Sequence, residues 1–374
     1  MKRCKRCLLP EVYPNISFNN KGVCSYCLGK SHFGVEKDKK ILNNIKNKEK
    51  LKKEFEEFIK KTKGKSDYDC LLLLSGGKDS IYLLYLLKEK YGLNILALSV
   101  DTGLIQPLAK KNIKQTVEKL KIDHISVTPG NDFFKKLYKY YLFNGSEVSY
   151  SERICPNCSK VIHSIGLIEA SKRQIPCVVI ANSPDQTDHY FFEIPNEKIS
   201  QSWIPKDLEY NYFNKIDLKF FWNPKKEDYL PRFFIPFHVI NYPGEKAIIK
   251  KISKSGFINK KKLNPIKTNC SLVWLLDYLD LNKIGYMPYV KDLSRKIQSE
   301  RIHISKIEKI FYLIGIKLLK LKILKRRDIK FAMKYLDLNF GEEINRESTL
   351  HYLNNENLFR SLRLHCKQKR RKFN

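Results

Sequence analysis

From Tyr68 onward, short apolar runs alternate with segments whose apolar positions recur at helical spacing. The runs are Cys70 to Leu74, Ile95 to Val100, Ile125 to Val127 and Cys177 to Ile180, with helical patterns between them at about 79–91, 108–121, 132–143 and 157–173. A strand that is apolar at successive positions is buried on both faces, and strands separated by helices pair in parallel. The pattern predicts a doubly wound α/β domain over residues 67–260. Upstream, residues 36–66 are rich in Lys and Glu, with Leu51, Phe55, Phe58 and Ile59 at helical spacing, which predicts a linker helix. Residues 1–35 carry Cys, Gly and Pro without helical period and are too few to fold on an apolar core, so something must staple them. Residues 190–235 hold many aromatics with no clear period, which fits either a substrate lid or an insertion packed on the sheet. The remainder, 261–374, reads as helical and ends in the basic run Lys367 to Lys372.

Composition adds three constraints. No stretch approaches the ~18 apolar residues of a membrane span, and the N-terminus leads into cysteines rather than an apolar signal core, so the expected location is the cytoplasm. In that reducing compartment, ten cysteines that include three Cys-x-x-Cys pairs point to metal or sulfur chemistry rather than disulfides. The formal charge of +32 suits a polyanionic partner, although lysine is abundant along the whole chain together with Asn and Ile, a pattern of composition more than of a designed groove.

The sharpest motif is Ser75-Gly76-Gly77-Lys78-Asp79-Ser80, directly after the first buried run and directly before a helix. Two glycines let the backbone turn tightly around an anion, and the helix N-terminus adds free N–H groups and a positive dipole end. Ser75 and Ser80 can donate to phosphate oxygens and Lys78 can neutralise them. The spacing is not that of the loop used for γ-phosphoryl transfer. It resembles the Ser-Gly-Gly-x-Asp-Ser loop of the PP-loop ATP pyrophosphatases, a superfamily that includes GMP synthetase, asparagine synthetase, tRNA thiolation enzymes and sugar amidotransferases. This resemblance implies cleavage of ATP between its α and β phosphates and transfer of AMP to a carbonyl or amide oxygen, with catalytic roles for Lys78 and Asp79. It also implies that Asp101, after the second strand, lies near the adenosine, and that Asp185, after the fourth, helps hold Mg²⁺. A turn or helix-cap role remains the alternative for both carboxylates.

Cys4-x-x-Cys7 and Cys24-x-x-Cys27, sixteen residues apart, have the spacing of a closed, structural tetrahedral Zn²⁺ site. A third pair, Cys155-Pro156-Asn157-Cys158, is expected just before a helix, whose N-terminus would lower thiol pKa values and make the pair reactive or metal-binding. Cys270 offers a third ligand. That set resembles the tRNA thiolation enzymes, in which a Cys-x-x-Cys and one distant cysteine hold a 4Fe-4S cluster with an open coordination position. A core role for Cys270, with the pair binding nothing or a second zinc, stays open. Cys70 and Cys177, within apolar runs, read as core residues.

Taken with the loop, the run Cys4-Lys5-Arg6-Cys7-Leu8-Leu9-Pro10, then Ile16-Ser17-Phe18-Asn19, then Gly22-Val23-Cys24-Ser25-Tyr26-Cys27 resembles the start of the N-acetyl sugar amidotransferase family. The likeness extends over roughly residues 1–280, with the aromatic stretch fitting least. It implies an ATP-dependent conversion of an acetamido into an acetamidino group on a nucleotide-linked sugar, for surface glycans such as lipopolysaccharide O-antigen or flagellin glycan. Ammonia would come from a separate glutaminase subunit, because Cys4 lies inside the zinc motif and no His-x-Glu pair occurs to complete a glutaminase triad. The competing reading is a tRNA thiolation enzyme, favoured by the charge, the basic tail and the Cys155, Cys158, Cys270 set. A zinc-ribbon nucleic-acid-binding protein with an inactive nucleotide domain is a third, disfavoured by the intact loop.

Overall fold

The computed structural model describes residues 1–31, 47–130, 132–144, 149–184, 192–206, 208, 213–258, 269–298 and 304–338. Asp185, Tyr190 and Phe191 of the aromatic stretch, and the basic tail lie outside the described residues.

Six strands form one sheet: β1 (Cys70–Leu73), β2 (Ile95–Val100), β3 (Asp123–Val127), β4 (Cys177–Val179), β5 (Glu193–Ile194) and β6 (Arg232–Phe234), in the order β3-β2-β1-β4-β6-β5. All neighbours pair in parallel except β5, which runs antiparallel to β6. β1 and β2 are buried at every position because alternate residues serve opposite faces. Leu71 and Leu73 join a core with helices α4 (Phe133–Phe143), α5 (Tyr150–Lys172), α8 (Leu272–Lys283) and α11 (Arg326–Tyr335). Cys70, Leu72 and Leu74 join the other, with α1 (Lys48–Thr62), α2 (Lys78–Glu89), α3 (Pro107–Leu120) and α7 (Glu245–Lys254). The result is the doubly wound arrangement expected of the pattern. Cys70 and Cys177 are fully buried in it.

Two segments take a definite place in the layers around the sheet. The helix of the expected linker, α1, buries Phe55 and Ile59 in the sheet's core, and Phe55 meets Phe234 edge-on at 5.2 Å, so it belongs to the outer layer of the α/β domain. In the aromatic stretch, Trp222 is fully buried and donates from Nε1 to the Ile199 carbonyl at 2.6 Å, while Phe233 and Phe234 form β6. Its described part therefore packs on the sheet. Among the described residues no helix is long and apolar enough to cross a membrane.

Residues 1–31 fold around the four sulfurs and dock on two further helices, α9 (Val290–Gln298) and α10 (Lys306–Lys320). Cys4, Cys7, Leu9, Cys24 and Tyr26 share a small core with Tyr286 and Val290. Ser294 Oγ donates to the Cys7 carbonyl at 2.8 Å and Lys309 Nζ to that of Lys5 at 2.6 Å.

Candidate active site and cysteine centres

The sheet order places β1 between β2 and β4: the chain winds outward from β1 through β2 to β3, then crosses back to β4 on the other side of β1, and a crevice opens at the carboxyl end of β1 where the direction reverses. The residues from Ser75 to Ser80 occupy that crevice. Gly76 has φ +74°, and a Cβ there would collide with the Ala109 carbonyl; one on Gly77 would strike the Asn269 side chain. Only glycine lets the chain turn here with α3 and residue 269 so close. Gly77 is the N-cap of α2 and, among the described residues, no side chain caps this end, an arrangement that suits an anion. Ser75 Oγ and Ser80 Oγ lie 3.1 Å apart, Ser80 Oγ donates to the Gly77 carbonyl at 3.1 Å, and Asn112 Nδ2 holds the Gly76 carbonyl at 3.2 Å.

Charge is arranged around the loop. Lys78 Nζ is 2.7 Å from Asp79 Oδ2 and 3.9 Å from Glu245 Oε1. The Tyr242 hydroxyl donates to the other Asp79 oxygen at 3.1 Å. Asp101, in the loop after β2, accepts from the Gly103 amide at 2.9 Å and pairs with Lys110 at 2.6 Å. Both described carboxylates proposed for nucleotide binding are thus engaged by lysines. Mg²⁺ commonly takes one or two carboxylates plus substrate phosphates, so it could fit this donor set only together with ATP. Glu245, Tyr242, Asn112 and Asn269 carry no motif in the sequence; their proximity comes from the tertiary fold.

The four N-terminal thiols fit one tetrahedral ion. Their sulfurs all lie within 4.8 Å of one another, with Cys4 to Cys27 at 3.8 Å and Cys7 to Cys24 at 3.6 Å. Four sulfurs bound about 2.3 Å from zinc would stand about 3.8 Å apart. Backbone amides of Cys7 and Cys24 point at Cys4 Sγ, at 3.5 and 3.3 Å, as expected around a thiolate ligand.

The third pair is placed differently from its sequence reading. α5 begins at Tyr150, seven residues before the expected start, so Cys155 and Cys158 lie within the helix beyond its first turn, with Pro156 between them. The cause is Asp280 on α8, a fully buried carboxylate that accepts from Tyr150 N (2.7 Å), Ser151 N (3.0 Å), Ser151 Oγ (2.7 Å) and Ser149 Oγ (2.9 Å). Burial pushes the Cys155 thiol up to about 12, against a hydrogen bond from Tyr289 at 3.4 Å, and raises Cys158, which faces the Tyr138 hydroxyl at 3.3 Å. Without a bound metal, this environment opposes the low thiol pKa that a helix N-terminus would give. Cys270 is held at the same end of the sheet by a bridge to Ile105, near both Cys155 and Cys158, and burial raises its thiol as well. The neighbouring Asn269 reaches Ser75 Oγ at 3.4 Å, so the loop and this cysteine group adjoin through consecutive residues.

No protein-family model matches the chain. An uncharacterized protein of Methanocaldococcus jannaschii is 33% identical over 150 residues, which cover 39% of this chain and 46% of that protein, so the match spans under half of the relative's length. Among solved structures, the U34-tRNA thiolase NcsA from Methanococcus maripaludis with its [4Fe-4S] cluster is 18% identical, covers 82% of this chain and 90% of its own, and has a TM-score of 0.31. NMN synthetase from Francisella tularensis (13% identical, 75% and 95% covered, TM-score 0.37) and NH3-dependent NAD synthetase from Campylobacter jejuni (14%, 69% and 97%, TM-score 0.33) are also similar.

Proposed function

We propose that the chain is an AMP-forming ATP pyrophosphatase that adenylylates the acetamido oxygen of an N-acetyl, nucleotide-linked sugar and lets ammonia displace AMP. The observation that carries the ATP chemistry is the Ser75 to Ser80 loop, two glycines and an uncapped helix start at the crevice of a doubly wound sheet. The amide oxygen attacks the α-phosphorus and the bond to pyrophosphate breaks. Ammonia then adds to the amidyl carbon, the carbon–oxygen bond breaks, AMP leaves and a proton is lost from nitrogen. Loop amides, Ser75, Ser80 and Lys78 stabilise the charge that gathers on pyrophosphate, and Asp79 with Tyr242 orients Lys78. Mg²⁺ bound with ATP would neutralise the same charge; Asp185 is its expected protein ligand. The sugar acceptor, its place in surface-glycan synthesis and a separate glutaminase partner rest on the resemblance of residues 1–280.

The second reading, tRNA thiolation, is favoured by one feature: Cys155, Cys158 and Cys270 gather next to the loop, with Cys270 beside the Asn269 that reaches Ser75. These residues would hold a 4Fe-4S cluster, which when bound supplies an open iron position for sulfur. One assay separates the two: pyrophosphate release from ATP by anaerobically purified protein, with ammonium and UDP-linked N-acetyl sugars in one arm and with unmodified tRNA and sulfide in the other. Release only with sugar, and a product about one mass unit lighter, supports the amidotransferase. Release only with tRNA transfers the proposal to thiolation.

A further inference from the structure

Glu245 stands between two lysines at the mouth of the phosphate loop. Its Oε1 is 3.9 Å from Lys78 Nζ and its Oε2 is 3.5 Å from Lys296 Nζ. Lys78 begins α2, Glu245 begins α7 behind Gly244, whose φ is +89°, and Lys296 comes from α9 near the other end of the chain. Three elements distant in sequence thus converge where the charge of ATP's outer phosphates would fall. Lys296 is also anchored. Ser294, two residues before it, bonds the Cys7 carbonyl, and Val290 on the same helix is buried against the four-cysteine module. Both lysine side chains are largely covered, at 21% and 24% exposed, so their place is set by packing rather than by solvent.

A carboxylate beside two lysines at this loop does what a phosphate would do there: it balances Lys296, and shares with the nearer Asp79 the balancing of Lys78, when no anion is present. We propose that Lys296 is a pyrophosphate-binding residue of this site, and that Glu245 is the carboxylate placeholder that yields both lysines to the β and γ phosphates of ATP. This goes beyond the loop reading and rests on it. A lysine acts on phosphate as a point charge. Lys296 would therefore favour ATP and pyrophosphate over AMP, and it would grip the leaving group after the α–β bond breaks. It also ties the ATP site to the metal-type module, because the helix that carries the lysine is the one the module rests on.

The test is binding of inorganic pyrophosphate, ATP and AMP by the full chain, measured calorimetrically for the wild type, Lys296→Ala, Lys296→Arg and Glu245→Gln, with thermal unfolding as a control. Lys296→Ala is expected to weaken pyrophosphate and ATP by roughly tenfold, the worth of one charge-assisted contact, with AMP affinity and unfolding unchanged. Lys296→Arg should keep most of the affinity. Glu245→Gln should bind pyrophosphate at least as tightly as the wild type, since it removes a competing negative charge. Equal pyrophosphate affinity in wild type and Lys296→Ala overturns the assignment, as does a loss that falls equally on AMP. A wild-type chain that binds neither ATP nor pyrophosphate overturns the loop reading and the Lys296 assignment together, whereas normal wild-type binding with an unaffected Lys296→Ala overturns the second alone.

Discussion

Gly76 is the residue whose identity the backbone dictates most directly. With φ at +74° and the Ala109 carbonyl where a Cβ would stand, Gly76→Ala should cost about 1–3 kcal/mol of stability and displace the loop. Chemical denaturation and ATP binding measured on the same preparation check this. Asp79→Ala removes the partner that orients Lys78 and should lower turnover by about a hundredfold or more with an unchanged far-ultraviolet spectrum. Asp277 makes a different prediction. It is buried on α8, its Oδ1 meets no hydrogen-bond partner among the described residues, and burial followed by the nearby Asp280 pushes its carboxyl up to about 8. A folded pKa above the unfolded one means that the folded chain holds the extra proton. This contribution is fully present below about pH 4 and is lost as pH rises through about 8. Asp277→Asn should flatten that slope and stabilise the protein at pH 9 relative to the wild type, as read by denaturant midpoints across the range. The Ser75 to Ser80 motif and the cysteine pairs were legible in the sequence because their chemistry is encoded in adjacent positions. Asp277, Glu245 and Lys296 were not, because nothing local distinguishes them from surface charges.

At the level of elements, the strands β1, β2 and β4 and the helices α2, α3 and α4 follow the apolar pattern to within a few residues. Their two buried faces, or one buried stripe, write themselves into periodicity. β6 escaped because three residues, Arg232 to Phe234, are too short to carry a period. The start of α5 escaped for another reason. Ser149 and Asp280, 131 positions apart, define it together, and only the first is near in sequence. Asp280→Ala would leave the donors of Ser149, Tyr150 and Ser151 buried without their acceptor, at a cost on the order of 3 kcal/mol. The same carboxylate holds the helix of Cys155 and Cys158 to the helix that follows Cys270. Iron content after anaerobic reconstitution should therefore fall in Asp280→Ala if the three cysteines hold a cluster.

Across the whole molecule, the first 31 residues are a docked part of the fold. Sequence spacing gave the four ligands, but the contacts of Cys7 with Ser294 and of Lys5 with Lys309 join segments about three hundred residues apart and leave no local signal. If the four thiols hold a metal ion, its removal by a chelator, like Cys24→Ser, should therefore lower the unfolding temperature and loosen α9 as well as the module. Hydrogen exchange over Val290–Gln298 before and after chelation checks this, and unchanged protection would contradict it.

The central claim is that the crevice at the end of β1 splits ATP between its α and β phosphates. It is tested most directly by incubating the purified chain with ATP labelled at the α-phosphate and an acceptor panel of N-acetyl sugars with ammonium or tRNA with sulfide, then separating the products. Labelled AMP and an equal amount of pyrophosphate are expected, dependent on one acceptor and abolished in Asp79→Ala. Labelled ADP with free phosphate, or no acceptor-dependent cleavage with any member of the panel, would contradict it.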